Sequence, residues 1–425
     1  MADAAVRLVS VAERLLGASF PLRIRAWDGS QAGPPGAPTL VLRNRRALRR
    51  VLFKPGELGL ARAWVAGDLD LEGDLYAGLA SMAELIWERE EPGRGLRDAG
   101  VRSALVDLLR LAGPPLPPAP PPEEVRHHRH LHTRRSDKQA ISHHYDVGND
   151  FYELVLGPSM VYSCAYWGED STLETAQQDK LELVCTKLGL REGQRLLDVG
   201  CGWGSMALHA AREHGVRVVG ITLSEEQAAY ARARAKTEGL ADRVEIRVQD
   251  YRDVADGPYD AISSIGMAEH VGAERYLEYA QDLYGLLRPG GRLLNHQIGR
   301  RPLADESAYE LNGFIDAYVF PDGELAPLGT TVTQLERAGF EVRDVEALRE
   351  HYALTLRRWV ANLEAQWDRA VGLAGAGRTR VWRLYMAASA LAFEGNRIGV
   401  NQVLAIRTPD AGTSGVPLRP RTWHG

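Results

Sequence analysis

Cysteine is scarce: Cys164, Cys185 and Cys201 are the three thiols in 425 residues, and no two form a C-x-x-C pair. That excludes a disulfide framework and a thiolate zinc site, and it predicts a reducing compartment with no metal. Long apolar runs are missing as well. Nothing approaches the roughly eighteen uninterrupted apolar residues of a membrane span, and MADAAVRLVS has neither the basic start nor the apolar stretch of a secretory leader. A cytoplasmic protein is therefore expected. Positive charge is not in excess either, since a net charge of -5 argues against bulk nucleic-acid binding. What is present is ordinary for a globular protein, 45% hydrophobic and 25% charged, with length for two or three domains.

The most informative stretch is QRLLDVGCGWG, Gln194 to Gly204. Leu196, Leu197 and Val199 make a short apolar run of the kind found in a buried parallel strand, and it breaks into Gly200, Gly202 and Gly204. A glycine-rich turn lets a ligand lie against bare backbone, and the helix that follows points its N-terminus at that ligand. Taken alone, the glycines would equally fit a tight turn with no ligand. The following residues predict a helix (Met206 to Gly215), a strand (Val216 to Ser224), a helix, and a third strand (Val244 to Asp250). In this βαβαβ pattern a dinucleotide site wants an acidic residue about 20 positions past the glycines, at the end of the second strand. The strand ends instead in Ile221, Thr222, Leu223 and Ser224. The spacing G-x-G-x-G, with Asp250 closing the third strand, favours S-adenosylmethionine (SAM).

Residues 1–112 predict a small α+β domain with a strand turning at Asp28-Gly29, a second strand TLVLRN, and helices over 45–53 and 58–66. Six basic residues fall between Arg43 and Lys54 beside Leu48, Val51, Leu52 and Phe53. They suit either a helix lying on anionic headgroups or a solvated face whose apolar side is in the core. Residues 113–134 form a linker, first proline-rich and then carrying His127, His128, His130 and His132. Without carboxylate or thiol partners the histidines predict an anion-attracting segment, whose titration would make surface attachment pH-dependent.

Residues 135–425 then carry the chemistry. The aromatic-rich stretch from Ala140 to Trp167 is placed to cap a cofactor, and YDAISSIG predicts a fourth strand running into MAEHVG. Leu286 to Gly291 reads as a turn into a fifth strand, Arg292 to Gly299. Glu269 and His296 fall at or just past the carboxyl ends of these strands, where open α/β sheets bind ligands. Residues 300–395 contain helical material rich in Trp359, Trp367, Trp382 and Phe393, fit for an acyl tunnel or a plain core, and the last strand lies in FEGNRIGVNQVLAIRT.

YSCAYW, LLDVGCGWG, ITLSEEQ, QDYRD, GMAEHVG, HQIG and YVFPDGEL, in this order, resemble the cyclopropane-fatty-acyl-phospholipid synthase family, which includes the mycolic acid cyclopropane synthases. RAWDGS is similar to a segment of actinobacterial members that make methylene- and methyl-branched C18 acids of the tuberculostearate type. The resemblance implies an α/β class I SAM-methyltransferase (Rossmann-like) fold with a seven-stranded sheet and a helical insertion, beside a smaller N-terminal α+β domain. It implies methyl transfer from SAM to the double bond of an unsaturated phospholipid acyl chain, with bound bicarbonate as the base, held by Cys164, Glu269, His296, Ile298 (backbone) and Tyr318. For SAM it points to Tyr162 and Ser163 of the cap, Asp198, Gly200, Gly202 and Gly204, Thr222 and Gln227 at the ribose, and Gln249 and Asp250 at the adenine. The partners implied are the phospholipid chains and the inner membrane surface, without nucleic acid, and a homo-oligomer is left open. A methyltransferase for a small soluble metabolite and a non-catalytic acyl-lipid binder remain alternatives. The choice between a cyclopropane and a methylene branch is not encoded in any motif.

Overall fold

A computed structural model describes residues 3–87, 99–125, 147–321 and 323–418. The tract with His127, His128, His130 and His132 lies outside them, as do the first residues of the expected cap. The chain forms two compact units. One comprises Met1–Arg126 with Asn312–Val319 and Ala374–Leu391, and the other comprises His127–Leu311, Phe320–Leu373 and Ala392–Gly425. These boundaries differ from the linear ones at 112 and 134 because two later segments bond into the N-terminal unit. Arg380 lies over the Trp64 ring and donates to the Trp64 and Leu69 carbonyls, both at 2.6 Å. Val125 N–H donates to the Ala317 carbonyl at 2.8 Å. Contacts between Arg380 and residues 316 and 311 positions earlier have no local signature in the sequence.

The N-terminal unit holds a four-stranded sheet in the order β2-β1-β3-β4, with β1 Arg23–Arg25, β2 Gln31–Ala32, β3 Thr39–Leu42 and β4 Leu69–Glu72. β1 and β2 form the expected hairpin around Asp28-Gly29, and helices Arg46–Phe53 and Glu57–Val65 follow as read. Arg43, Arg45, Arg46 and Arg50 of the basic run have partners within this unit. Arg50 and Arg46 reach the buried Asp68 carboxylate at 2.8 and 3.1 Å, Arg43 pairs with Asp70 at 2.9 Å, and Arg45 lies over Trp27. Once Asp68 is taken out of water it needs such partners, so these guanidinium groups are structural.

The larger unit is built on a seven-stranded sheet, β10-β11-β9-β8-β5-β6-β7. The strands are β5 Arg195–Val199, β6 Arg217–Thr222, β7 Val244–Val248, β8 Tyr259–Ile265, β9 Leu287–Arg300, β10 Glu341–Ala347 and β11 Ile398–Ile406. β5 to β9 pair in parallel, and β11 runs antiparallel between β9 and β10. The strands feed two apolar layers. Leu196, Leu294 and Leu404 pack under one set of helices and Leu197, Leu293 and Val403 under the other, which is why each strand reads as continuously apolar. β9 is longer than its sequence predicts. The expected turn survives as a bulge inside the strand: Gly290 is left-handed at φ +82° and the register against β8 slips between Leu287 and Arg292, while Gly290 N–H donates to the Arg407 carbonyl and Arg407 N–H to the Gly291 carbonyl. The order in which strands are added reverses at β5, which lies between β6 and β8, and the crevice at its carboxyl end is the place such sheets bind ligands. Among the described residues no helix is long and apolar enough to cross a membrane.

Candidate active site

The crevice holds an open pocket of roughly 1220 Å³, mouth included. Tyr162, Ser163, Asp198, Gly200, Gly202, Thr222, Gln227, Gln249 and Asp250 all line it, so nine of the ten residues expected to hold SAM meet there. Gly204 is the exception, and its role is different. At φ +84° it caps helix Ser205–His214, and a Cβ there would stand 2.9 Å from the Ala231 Cβ on helix Glu225–Thr237. It lets two helices pack closely while Gly202, with nothing within 4 Å of its missing Cβ, leaves the pocket clear.

The cap is positioned by the glycine loop itself. Trp203 packs on Tyr152 at 4.6 Å and its Nε1 donates to Asn149 Oδ1 at 2.7 Å, which fixes helix Asn149–Leu156 and leads Met160 to Ser163 along the pocket wall. On the opposite wall the Thr222 hydroxyl donates to Gln227 Oε1 at 2.8 Å, tying β6 to the helix that Ser224 caps. Asp250, expected to accept from the adenine, is already chelated by Arg252, whose Nε reaches Oδ1 at 2.8 Å. Asp250 Oδ1 also accepts from the Arg252 backbone N–H at 3.0 Å, and its Oδ2 accepts from Arg252 Nη2 at 2.5 Å.

Lys180 is a pocket residue that the sequence reading missed. It is buried, lines the pocket, and donates through Nζ to Ser163 Oγ at 3.0 Å. Its signal was present in the sequence, because Leu173, Ala176, Gln177, Lys180, Leu181 and Val184 form the buried stripe of helix Leu173–Leu188 and a lysine is out of place there. Burial pulls Lys180 down to about 8 and raises neighbouring Asp198 to about 6. Asp198 Oδ1 accepts from Ser263 at 2.7 Å, while Oδ2 is buried with no partner. A carboxylate oxygen in that state fits the cationic end of a SAM molecule.

Four of the five expected catalytic residues belong to this unit. Cys164 follows the pocket-lining Ser163 and is fully buried, a neutral thiol whose pKa burial raises well above normal. Its Sγ donates to the Ala165 and Leu348 carbonyls, and the latter also accepts from Tyr352 N–H. Helix Arg349–Ala365 thus holds the segment in place, with Thr355 Oγ1 accepting from Ala165 N–H at 3.1 Å. Glu269 and Ile298 meet directly, as Ile298 N–H donates to Glu269 Oε1 at 2.7 Å. Burial raises the Glu269 carboxyl to about 7, and Oε2 has no partner. His296 and Ile298 project from the same face of β9, and burial with the nearby Lys180 and Lys187 charges lowers His296 to about 3. Tyr318 belongs to the other unit, where its hydroxyl donates to Glu124 Oε2 at 2.9 Å beside Arg62. Away from the pocket, Cys185, His209 and His214 bring ligand atoms within 4.8 Å of one another, and Glu182 Oε2 accepts from both imidazoles at 3.1 and 3.0 Å.

The mycolic acid cyclopropane synthetase family model matches residues 132–403. Over 412 residues the chain is 46% identical to a probable fatty acid methyltransferase of Mycobacterium tuberculosis, covering 94% of each. It is 38% identical over 269 residues to the cyclopropane-fatty-acyl-phospholipid synthase of Escherichia coli, covering 63% of this chain and 68% of that one. Among solved structures, a mycolic acid cyclopropane synthase complexed with SAH and CTAB superposes with a TM-score of 0.60 at 34% identity, over 65% of this chain and 99% of that one. The glycine crevice, its cap and its buried Asp198 thus sit in a fold and a sequence that both lead to one assignment: the chain belongs to the mycolic acid cyclopropane synthetase family and is a SAM-dependent methyltransferase.

Proposed function

We propose that the enzyme methylates a cis double bond in an unsaturated acyl chain of a phospholipid. SAM supplies an electrophilic methyl group. The alkene π pair forms the new C–C bond as the S–CH₃ bond breaks, S-adenosylhomocysteine leaves, and a cation remains on the acyl chain. Loss of a proton from the transferred methyl closes a cyclopropane, or, after a hydride shift along the chain, gives a methylene branch of the 10-methylene stearate type. Asp198, Ser163, the Gly200–Gly202 backbone and the Thr222–Gln227 pair hold the donor, and Gln249 and Asp250 hold its adenine end. An alkene is a weak nucleophile, so fixing the two partners in line is the largest service the protein renders.

One observation carries the rest: His296 Nε2 and Glu269 Oε2 are both buried and both without a partner. With its carboxyl raised to about 7, Glu269 is substantially protonated near neutrality and can donate, as can the neutral imidazole. Two donors in a dry site call for an anion, and bicarbonate held by Glu269 and His296, beside Cys164 and the Ile298 backbone that are already bonded within the protein, would take the methyl proton and stabilise the cation. Tyr318, with its hydroxyl on Glu124, is left out of this set. The reading also assigns lipid access at the cytoplasmic membrane face to the N-terminal unit, which exposes Phe53, Val106, Leu109 and Leu116. Incubation with SAM and oleoyl-phospholipid vesicles tests the proposal. A mass gain of one CH₂ per chain that rises with added bicarbonate supports it, and transfer insensitive to bicarbonate depletion removes the base. NMR of the product lipid decides between cyclopropane and methylene.

A further inference from the structure

We infer that Lys187 and Gln402 are positioning residues that lock the His296 imidazole as a hydrogen-bond donor through Nε2. Lys187 is wholly buried on helix Leu173–Leu188 and donates through Nζ to Gln402 Oε1 at 2.8 Å. The same Nζ contacts the Glu346 carboxylate, and Asp344 stands 3.8 Å away, so the buried charge is balanced. An ammonium group can only donate, which obliges the Gln402 amide to turn its oxygen towards Lys187. Its nitrogen then faces the other way, 3.3 Å from His296 Nδ1, across the β9–β11 pair in which Gln402 and His296 are directly opposite.

An amide nitrogen also only donates, so Nδ1 must be the acceptor. In a neutral ring the proton is therefore on Nε2, the atom left buried and without a partner. A second proton could enter only at Nδ1, where it would face the Gln402 NH₂ group. Burial and the Lys180 and Lys187 charges oppose it further, so the ring stays neutral at working pH. His296 then has a proton to offer and no basic nitrogen to receive one. It orients whatever anion binds at Nε2, and the acceptor of the methyl proton is another group. The catalytic consequence rests on the proposed role of His296, whereas the tautomer does not.

Full-length protein labelled with ¹⁵N-histidine tests the lock directly, with the His296 signals identified by their loss in His296→Gln. Long-range ¹H–¹⁵N correlations should show Nε2 protonated and Nδ1 bare, and a protonated Nδ1 overturns the inference whatever the variants do. Gln402→Glu keeps an oxygen for Lys187 and offers a second one to Nδ1, so it should reverse the tautomer. It should lower kcat by about 100-fold and leave KM for SAM within about twofold. A reversed tautomer with unchanged kcat would overturn the positioning role. Full activity in His296→Gln would instead sink the proposed role of His296 and leave the tautomer result standing.

Discussion

Gly202 and Gly204 are two residues apart and have the same side chain, yet the structure predicts opposite consequences for replacing them by alanine. At Gly204 the new Cβ lies 2.9 Å from the Ala231 Cβ, well inside contact distance, and the backbone is left-handed at φ +84°. The steric conflict between two packed helices costs about 1–3 kcal/mol, and an alanine at positive φ adds about 1–2. Gly204→Ala should therefore lose about 2–5 kcal/mol, a fall in Tm on the order of 10 °C for a unit of this size. Removing the opposing methyl by Ala231→Gly should recover the steric part, giving a coupling of about 1–3 kcal/mol in a double-mutant cycle. At Gly202, φ is +54° and a Cβ meets nothing within 4 Å, but the residue lines the pocket. Gly202→Ala should lose only about 1–2 kcal/mol of stability while weakening SAM binding about tenfold or more. Thermal unfolding without SAM and calorimetric titration with it separate the two. The reasoning fails if Gly202→Ala proves the less stable variant, or if Ala231→Gly gives Gly204→Ala no relief.

Burial raises Glu269 from 4.5 to about 7, so its folded form holds its proton more tightly than the unfolded chain does. The resulting stability is complete below about pH 4.5 and is lost as pH rises through about 7, by about 3 kcal/mol. Glu269→Gln should remove that slope, and parallel stability curves for the two proteins between pH 5 and pH 8 would contradict the assignment. Asp198 must be ionised to bind a cation, so SAM affinity should fall as pH drops through about 6, and Asp198→Asn should be weak at every pH when titrated calorimetrically. Asp250→Ala should weaken SAM binding, and unchanged affinity would place the adenine elsewhere. Tyr318→Phe is expected to cost about 1 kcal/mol of stability and leave kcat nearly intact. A large loss of kcat at unchanged stability would return that hydroxyl to the anion.

Periodicity and turn chemistry made much of the larger unit legible. The apolar run before Gly200 and the glycine-closed helix at Gly215 appear where their patterns put them, and the strands expected to Ser224 and Asp250 end two residues earlier, at Thr222 and Val248, because each depends on neighbours within one or two turns of chain. The start of β9 was legible only in part, for the complementary reason. Pro289, Gly290 and Gly291 carry turn chemistry and do turn, with Gly290 at φ +82°, and only hydrogen bonds to Arg407, more than a hundred residues on, draw that turn into the strand as a bulge. Lys180 stands in the apolar stripe of its helix, which the sequence shows, but only the tertiary structure shows that it is buried beside Ser163.

The amino-acid sequence on its own determined the sheet, the glycine loop, the choice of SAM over a dinucleotide and the family, since these depend on residue types at short fixed intervals. Tertiary structure alone decided that Gly204 packs helices and does not line the pocket, that Tyr318 bonds to Glu124, and that Lys187 reaches His296 through Gln402. Those facts concern which atoms meet once the chain is folded and water is excluded, and that depends on segments apart in sequence, from 27 positions for Gly204 and Ala231 to 215 for Lys187 and Gln402, coming together in space.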